Sequence, residues 1–194
     1  MTRWAGVDVG GARKGFDVVV VGRSGLVTAP RRLPSSGAVH SFLHDHQPRV
    51  VAVDSPRCAA PAGERSRACE RRLAKEVCGI RYTPDQATLN GGSPYYEWIR
   101  RGLGLYTALE HGPWRVIECF PTASWTRWLG PRPKDRSRAA WTRTGLENLG
   151  LRGLPSKTNQ DIRDALAAAL TARLFDEGRT EAFGEIVVAD RLNR

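Results

Sequence analysis

The chain has 194 residues, a formal net charge of +10 at pH 7 and a sequence pI near 10.2. This length fits one domain with its own core and is too short for two ordinary ones, so we predict a single domain over residues 1–194. The positive charge favours an anionic partner such as nucleic acid. Because the sequence contains neither a bilayer-spanning apolar run nor disulfide-type cysteine spacing, we expect a reduced, soluble, cytoplasmic protein without a membrane partner.

The predicted elements begin with three strands. Residues 3–11 and 15–22 are apolar and β-branched, and residues 25–33 can form an edge strand because proline is tolerated there. The short connections between these strands predict an antiparallel meander. A helix over residues 36–46 then precedes a strand over 49–56, whose continuous apolar run is typical of a strand covered on both faces.

The rest of the chain is mostly helical. The predicted helices cover residues 64–78, 93–110, 136–149 and 159–177. A strand over 114–121 ends at Pro121 and leads into a connector rich in Trp and Arg, and residues 185–190 can add a last strand. This order predicts an α/β fold with a mixed five-stranded sheet, in which the meander is joined by two parallel strands and flanked by helices. The order resembles that of the ribonuclease H-like fold.

Three of the apolar strands carry an acid at or near their end. Asp8 lies in the first strand, Asp54 closes "VVAVD" and Glu118 closes "WRVIE". An ionised carboxylate among buried neighbours costs several kcal/mol unless another group compensates it. Solvation alone is therefore a poor explanation for a pattern that occurs three times.

Two more acids, Asp161 and Asp164, lie one turn apart at the start of "QDIRDALAAALTAR". The helix dipole and a capping box explain Asp161 as well as a functional role does. Asp164 lies in the second turn, beyond the reach of capping. It shares a face with Ala168 and Thr171, and such small side chains let a helix lie close to a sheet. We therefore expect Asp164 to approach the strands.

If Asp8, Asp54 and Asp164 converge to within about 4 Å, each pair repels by about 4 kcal/mol at an effective dielectric constant of about 20. Three such pairs rival the whole net stability of a typical domain, roughly 5 to 15 kcal/mol. A divalent cation would relieve this repulsion, and carboxylate oxygens suit Mg²⁺ or Mn²⁺ better than zinc. Protonation of one acid is the alternative, and the sequence leaves both open.

Two motifs resemble a known group of nucleases. "GVDVGGARKGF" resembles the opening of the RuvC and YqgF-like Holliday junction resolvase branch of ribonuclease H-like proteins, and "DIRDALAAALTAR" resembles its closing acidic helix. With "AVDSPRC" and "IECFPTASW", nearly the whole chain resembles family 429 of the domains of unknown function, a predicted nuclease of this fold. The resemblance implies a catalytic metal site of Asp8, Asp54 and Asp164, with Asp161 as an additional ligand.

Two positions depart from the resolvase pattern. Asp54, followed by Ser55 and Pro56, stands where these resolvases commonly carry Glu, so its reach to a metal is shorter. Glu118 has no counterpart, and we assign it to substrate contact or to support of the metal ligands. Resolvases of this class act as dimers, which leaves a homodimer open, although no heptad or exposed apolar stripe marks an interface in the sequence.

A basic and aromatic segment follows the fifth strand. Between residues 127 and 143, six Arg or Lys residues stand against one acid, and Trp125, Trp128 and Trp141 are interleaved with them or adjoin them. Arginines and aromatic faces together hold phosphates and stack bases. The alternative is a solvated loop whose tryptophans fill the core, which we expect of at least one of the three. The candidate substrate contacts are Arg13, Lys14, Arg57, Glu118, Trp125, Arg136 and Arg138.

Three functions are compatible with these features. The first is a nuclease in which the aspartates hold Mg²⁺ or Mn²⁺ and a DNA or RNA strand is hydrolysed. The second is a nucleic-acid-binding module that has lost turnover, whose binding is salt-sensitive and needs no metal. The third is a nucleotide-dependent kinase or ATPase, because "DVGGARKG" resembles the phosphate loop of the actin and sugar-kinase group. Those enzymes enclose nucleotide between two domains, and this chain has room for one.

Overall fold

A mixed seven-stranded sheet forms the centre of the computed structural model, which describes residues 1–191. The strands are β1 (Trp4–Val9), β2 (Phe16–Val21), β3 (Arg31–Leu33), β4 (Val50–Asp54), β5 (Arg115–Cys119), β6 (Thr180–Phe183) and β7 (Ile186–Ala189). Their order in the sheet is β3-β2-β1-β4-β5-β7-β6. Strands β1 to β3 pair antiparallel, whereas β1, β4, β5 and β7 run parallel. The α/β class and the mixed sheet are therefore confirmed.

The predicted number of five strands is wrong, because a C-terminal hairpin adds two. Strand β7 lies within the segment where we expected a last strand, and the short β6 pairs with it antiparallel. Gly184, with a φ of 60°, makes the turn between them. Strand β3 is also shorter than predicted, because Pro30 offers no N–H to a ladder. N-terminal to Pro30, the predicted strand pairs with β2 only through an isolated bridge between Leu26 and Val21.

Seven α-helices surround the sheet in the described part of the chain. They are α1 (Ser36–His46), α2 (Ala68–Glu76), α3 (Gln86–Asn90), α4 (Glu97–Leu109), α5 (Pro121–Leu129), α6 (Arg138–Asn148) and α7 (Gln160–Asp176). Helix α5 occupies the predicted connector. We expected Pro121 only to end a strand, but it also begins this helix, where a missing N–H costs nothing. No helix within residues 1–191 is long and apolar enough to cross a membrane.

The two faces of the sheet pack against different helices. One face packs on α7 and carries Trp4, Val19, Val21, Val50 and Ala52. The other face packs on α1 and α4 and carries Val7, Val18, Val51 and Val53. Since successive side chains of a strand alternate between faces, Asp8, Asp17 and Asp54 belong to the face that meets α7.

Helix α7 lies directly on β1 because Gly6 has no side chain. A Cβ atom at Gly6 would overlap the backbone of Ala165 and Ala169. The alanines of α7 are fully buried against the sheet, as the stripe of small residues predicted. This close contact brings the first turns of α7 to the end of β1 where Asp8 lies.

Candidate active site

Three of the predicted acids lie at the edge of the sheet where the parallel strands end. Asp8 and Asp54 occupy paired positions on β1 and β4, with side chains on the same face. Asp164, in the second turn of α7, is 4% exposed. All three line one cleft of about 750 Å³. The fold thus gathers acids that are 46 and 110 residues apart in the sequence, since 54 − 8 = 46 and 164 − 54 = 110.

Burial and mutual repulsion disfavour the charged forms of these carboxyls. Burial, followed by the charge of Asp164, raises the pKa of Asp54 from 3.8 to about 8. Burial, followed by the charges of Asp54 and Asp164, also raises the pKa of Asp8 well above its ordinary value. Without a cation, these causes therefore favour a protonated form of the Asp8 and Asp54 pair. A proton, a divalent cation or a neighbouring basic side chain can each neutralise an acid of this group.

Asp161 lies at the same end of the cleft, together with an acid that our sequence analysis missed. The carboxylate oxygens of Asp8, Asp17 and Asp161 come within 4.8 Å of one another. Arg32 bridges Asp17 and Asp161 at 2.8 and 3.2 Å, and Lys14 contacts Asp161 at 3.1 Å. The signal for Asp17 was present, because it is the single charged residue inside the apolar strand "FDVVVV".

Arg138 closes the cleft on the side of α6. Its Nη2 donates to Asp164 Oδ2 at 2.9 Å and to Thr122 Oγ1 at 2.9 Å. Gln160 Nε2 donates to the other oxygen, Asp164 Oδ1, at 3.0 Å. Burial raises the pKa of Asp164, and the charge of Arg138 opposes that rise. Arg138 therefore contacts an acid of the site and remains about half exposed to solvent.

The donor set of the site fits a hard divalent cation. Asp8, Asp54 and Asp164 offer only carboxylate oxygens, which Mg²⁺ and Mn²⁺ prefer over the nitrogen and sulfur donors typical of zinc. A cation among them would remove the repulsion that raises the pKa of Asp8 and Asp54. Within residues 1–191, the acids whose oxygens lie close enough together to share an ion are Asp8, Asp17 and Asp161.

Glu118 also lines the cleft, but it lies apart from this group of acids. It is 3% exposed and lies on the opposite face of the sheet, out of phase with Ile117 and Cys119. The Arg67 guanidinium donates to both of its oxygens, and the Arg57 backbone N–H donates to one of them at 2.8 Å. Protein donors therefore occupy both carboxylate oxygens of Glu118, and this residue is part of the buried interior.

Glu118 belongs to a buried network on that face. Arg67 also donates from Nε to Glu70 Oε1 at 3.0 Å, and the Thr83 N–H donates to Glu70. Two carboxylates thus share one guanidinium in the interior. The network ties β5 to α2 and to the loop after it, which forms one wall of the cleft at Gly79, Ile80 and Arg81.

The predicted basic substrate contacts divide into two groups. Lys14 and Arg138 line the cleft, and both pair with site carboxylates. Arg13, Arg57 and Arg136 are exposed and lie outside the cleft lining.

Trp125 is corrected to a core residue. It is fully buried on α5 and packs against Trp128 and Gly145, so no base can stack on it. The residues that line the cleft and were not singled out as substrate contacts include Arg81, Trp98 and Arg132. Arg132 falls within the basic segment that the sequence marked.

Comparison with known proteins gives one family match. A family described as "Protein of unknown function (DUF429)" matches residues 6–187. No curated protein matches the chain. Among solved structures, that of Thermus thermophilus RuvC is similar at 19% identity and a TM-score of 0.48, over 91% of this chain and 97% of RuvC. The structure of T. thermophilus RuvC in complex with a Holliday junction substrate is similar at 18% identity and a TM-score of 0.48. The similarity covers 92% of this chain and 97% of that RuvC chain.

Proposed function

The chain belongs to the DUF429 family, and from its acidic cleft we propose that it is a divalent-metal-dependent nuclease of the ribonuclease H-like fold. One observation carries the proposal: Asp8, Asp54 and Asp164 line one open cleft, where burial raises the pKa of all three and repulsion between the acids adds to the rise for Asp8 and Asp54. Perturbed acids in a cleft are typical of catalytic or metal sites. Repulsion between buried carboxylates lowers the stability of the fold, so their presence here is better explained by a function than by stability.

Asp8, Asp54 and Asp164 would hold the ion, with Asp161 as a further ligand. When bound, Mg²⁺ or Mn²⁺ polarises a phosphoryl oxygen and lowers the pKa of a bound water. The chain itself supplies rigid placement of the acids. Paired strands fix Asp8 and Asp54, and the contact of α7 with Gly6 fixes Asp164. Such placement reduces the reorganisation that the reaction requires.

The surroundings of the acids favour a nucleic-acid substrate. Lys14, Arg81, Arg132 and Arg138 line the same cleft, and guanidinium groups bind phosphate oxygens well. Residues 131–137, which lead into α6, are all exposed. With a net charge of +10, the protein attracts a polyanion to the cleft from a distance. The substrate is therefore a DNA or RNA strand, cleaved at a phosphodiester bond.

Cleavage assays test the proposal directly. Branched, hybrid and single-stranded substrates are incubated with Mg²⁺ or Mn²⁺ and the wild-type protein, Asp8→Asn or Asp164→Asn. Loss of a ligand should lower the rate by more than about 100-fold, since even supporting residues behind a metal ligand contribute about 10- to 100-fold. Asp45→Asn, which changes an exposed acid on α1, is the matched control and should leave the rate unchanged. Metal-dependent cleavage that survives both site substitutions would overturn the assignment.

A binding module without turnover is the second candidate, and the ion pairs of the site favour it. Arg138 neutralises Asp164, while Lys14 and Arg32 neutralise Asp161, so the protein's own cations already compensate two of the acids. This function predicts salt-sensitive binding of nucleic acid in the presence of a chelator. Binding of that kind, with no product formed under any metal condition, would favour it over the nuclease.

A further inference from the structure

The cleft continues over the edge of the sheet to the face that α4 covers, where two polar groups lack hydrogen-bond partners. Ser55 directly follows Asp54, so its side chain points to the opposite face. Ser55 Oγ and Trp98 Nε1 are buried and have no partner among residues 1–191, and Ser55 is 3% exposed. Both residues line the cleft. Since buried polar groups are nearly always paired, a bound molecule or a water is expected to complete the hydrogen bonding of these two.

Ser55, which follows β4, and Trp98, on α4, both lie on the side of Gly102 that faces the sheet. Ser55 Oγ lies where a side chain of Gly102 would be. Trp98 precedes Gly102 by one helical turn and therefore lies on the same face of α4. We call the part of the cleft lined by Val9, Gly10, Ser55, Pro56 and Trp98 the α4-side pocket.

The chemistry of the α4-side pocket suits a nucleobase better than a phosphate. Its donors are a hydroxyl and an indole N–H, which are neutral, and its walls are an aromatic ring, Val9 and Pro56. The guanidinium of Arg67, which lies on the same side of the sheet, is occupied by Glu70 and Glu118. A base offers a flat face for the indole and carbonyl or ring-nitrogen acceptors for the two donors.

We propose that the α4-side pocket receives a single unpaired base of the nucleic-acid strand whose phosphate lies at the acids. This inference rests on the proposed function and names its substrate class. Asp54 and Ser55 are consecutive residues with side chains on opposite faces, so a strand crossing this edge presents its phosphate to one face and its base to the other. A base stacked within a duplex cannot reach such a pocket. The substrate is therefore unpaired at or next to the scissile position, as in a branch, a loop or a single strand.

Fluorescence of 2-aminopurine tests the pocket without cleavage. The probe is placed at one unpaired position of a DNA oligonucleotide, and binding is measured in chelator for the wild type, Ser55→Ala, Trp98→Phe and Trp98→Ala. We expect the wild type to quench the probe. Trp98→Ala should lower the affinity for this oligonucleotide about tenfold or more and leave the affinity for a fully paired duplex unchanged. Trp98→Phe should retain most of the quenching, because the phenyl ring can still stack.

The Ser55→Ala variant keeps the test valid if Trp98→Ala fails to fold. Ser55 Oγ makes no hydrogen bond within the described chain, so its removal should not lower stability but should weaken binding of the unpaired base. Tyr95→Ala removes an exposed tyrosine outside the cleft lining and should have no effect. Two results would contradict the proposed base-binding pocket. One is an equal loss of affinity for paired and unpaired oligonucleotides, and the other is an unchanged affinity in both Ser55→Ala and Trp98→Ala. If the fluorescence test confirms base binding in the α4-side pocket but the protein cleaves no substrate, only the nuclease proposal is refuted.

Discussion

Arg138 and Asp164 form an ion pair in which Nη2 lies 2.9 Å from Oδ2. The carboxylate is buried, whereas the guanidinium is about half exposed at the side of the cleft. The pair therefore links an inner acid of the site to the surface that a substrate would approach. A divalent cation bound at Asp164 would compete with Arg138 for the same oxygen, and a substrate phosphate would compete with Asp164 for the same guanidinium.

Substitution of Arg138 should change the affinities for metal and nucleic acid in opposite directions. Arg138→Ala frees Asp164, so Mn²⁺ should bind about tenfold more tightly, in line with the loss of a hydrogen bond between charged groups. The same variant should bind nucleic acid more weakly, because one phosphate-binding cation is lost. Titration calorimetry with Mn²⁺ alone and with an oligonucleotide in chelator measures the two affinities separately.

Arg132→Ala is the matched control for this prediction. Arg132 lines the cleft, but it donates to the Arg136 carbonyl and not to an acid. Its removal should weaken nucleic-acid binding and leave Mn²⁺ binding unchanged. Unchanged or weaker Mn²⁺ binding by Arg138→Ala would show that the ion pair does not compete with the metal.

Gly6→Ala should destabilise the protein and disturb the site together. The added methyl group would meet backbone atoms of Ala165 and Ala169, which cannot rotate away, so α7 must shift. Overpacking of this kind costs about 1 to 3 kcal/mol or more. Urea denaturation measures the loss, and Mn²⁺ affinity should fall with it because α7 carries Asp164.

The control for Gly6→Ala is Gly104→Ala. Gly104 is exposed within α4, and a Cβ atom there meets nothing within 4 Å. Replacing an exposed helical glycine with alanine should stabilise the protein by up to about 1 kcal/mol. If both variants had the same stability as the wild type, the close packing of α7 on β1 would be wrong.

The metal-free protein should lose stability as the pH rises. In the unfolded chain Asp54 titrates near 3.8, and in the folded protein its pKa is about 8, so the folded state binds the proton more tightly between these values. The free energy of unfolding therefore falls from about pH 5 to about pH 8. Thermal denaturation in chelator should show this fall, which Asp54→Asn should reduce and Mn²⁺ should offset at the higher pH. A flat profile in chelator would contradict the raised pKa of Asp54.

Arg67→Met should be among the most destabilising single substitutions in the core. It leaves the carboxylates of Glu70 and Glu118 buried without their guanidinium, and breaking a buried pair costs about 3 to 5 kcal/mol. Arg72→Met, which breaks exposed pairs with Glu76 on the same helix and with Glu181, should cost about 1 kcal/mol or less. Denaturant titration of both variants checks the difference, and similar losses would contradict a buried network.

The acids of the site were predictable from local pattern. Asp8 and Asp54 interrupt apolar strands, and Asp164 lies beyond the reach of helix capping on a face of small residues. These signals need only the alternation of a strand and the turn of a helix. The family resemblance is confirmed by the match over residues 6–187.

The remaining features depend on tertiary packing, which the sequence did not reveal. The acid of "RVIEC" follows an apolar run just as Asp54 does, but α7 covers the face of Ile117 and Cys119, so Glu118 falls on the other side. The role of Asp17 depends on its pairing with Asp8 across the meander. We predicted that Trp125 contacts the substrate because Pro121 was expected only to end a strand. Pro121 in fact also begins α5, and this helix buries Trp125.

Diffraction from crystals soaked in Mn²⁺ tests the central claim most directly. We predict an anomalous peak within coordination distance of carboxylate oxygens of Asp8, Asp54 and Asp164, with the Arg138 guanidinium moved away from Asp164. Asp8→Asn crystals treated in the same way should show a weaker peak or none. Well-ordered wild-type crystals with no peak at these three acids, at a pH above that at which Asp54 ionises, would contradict the account.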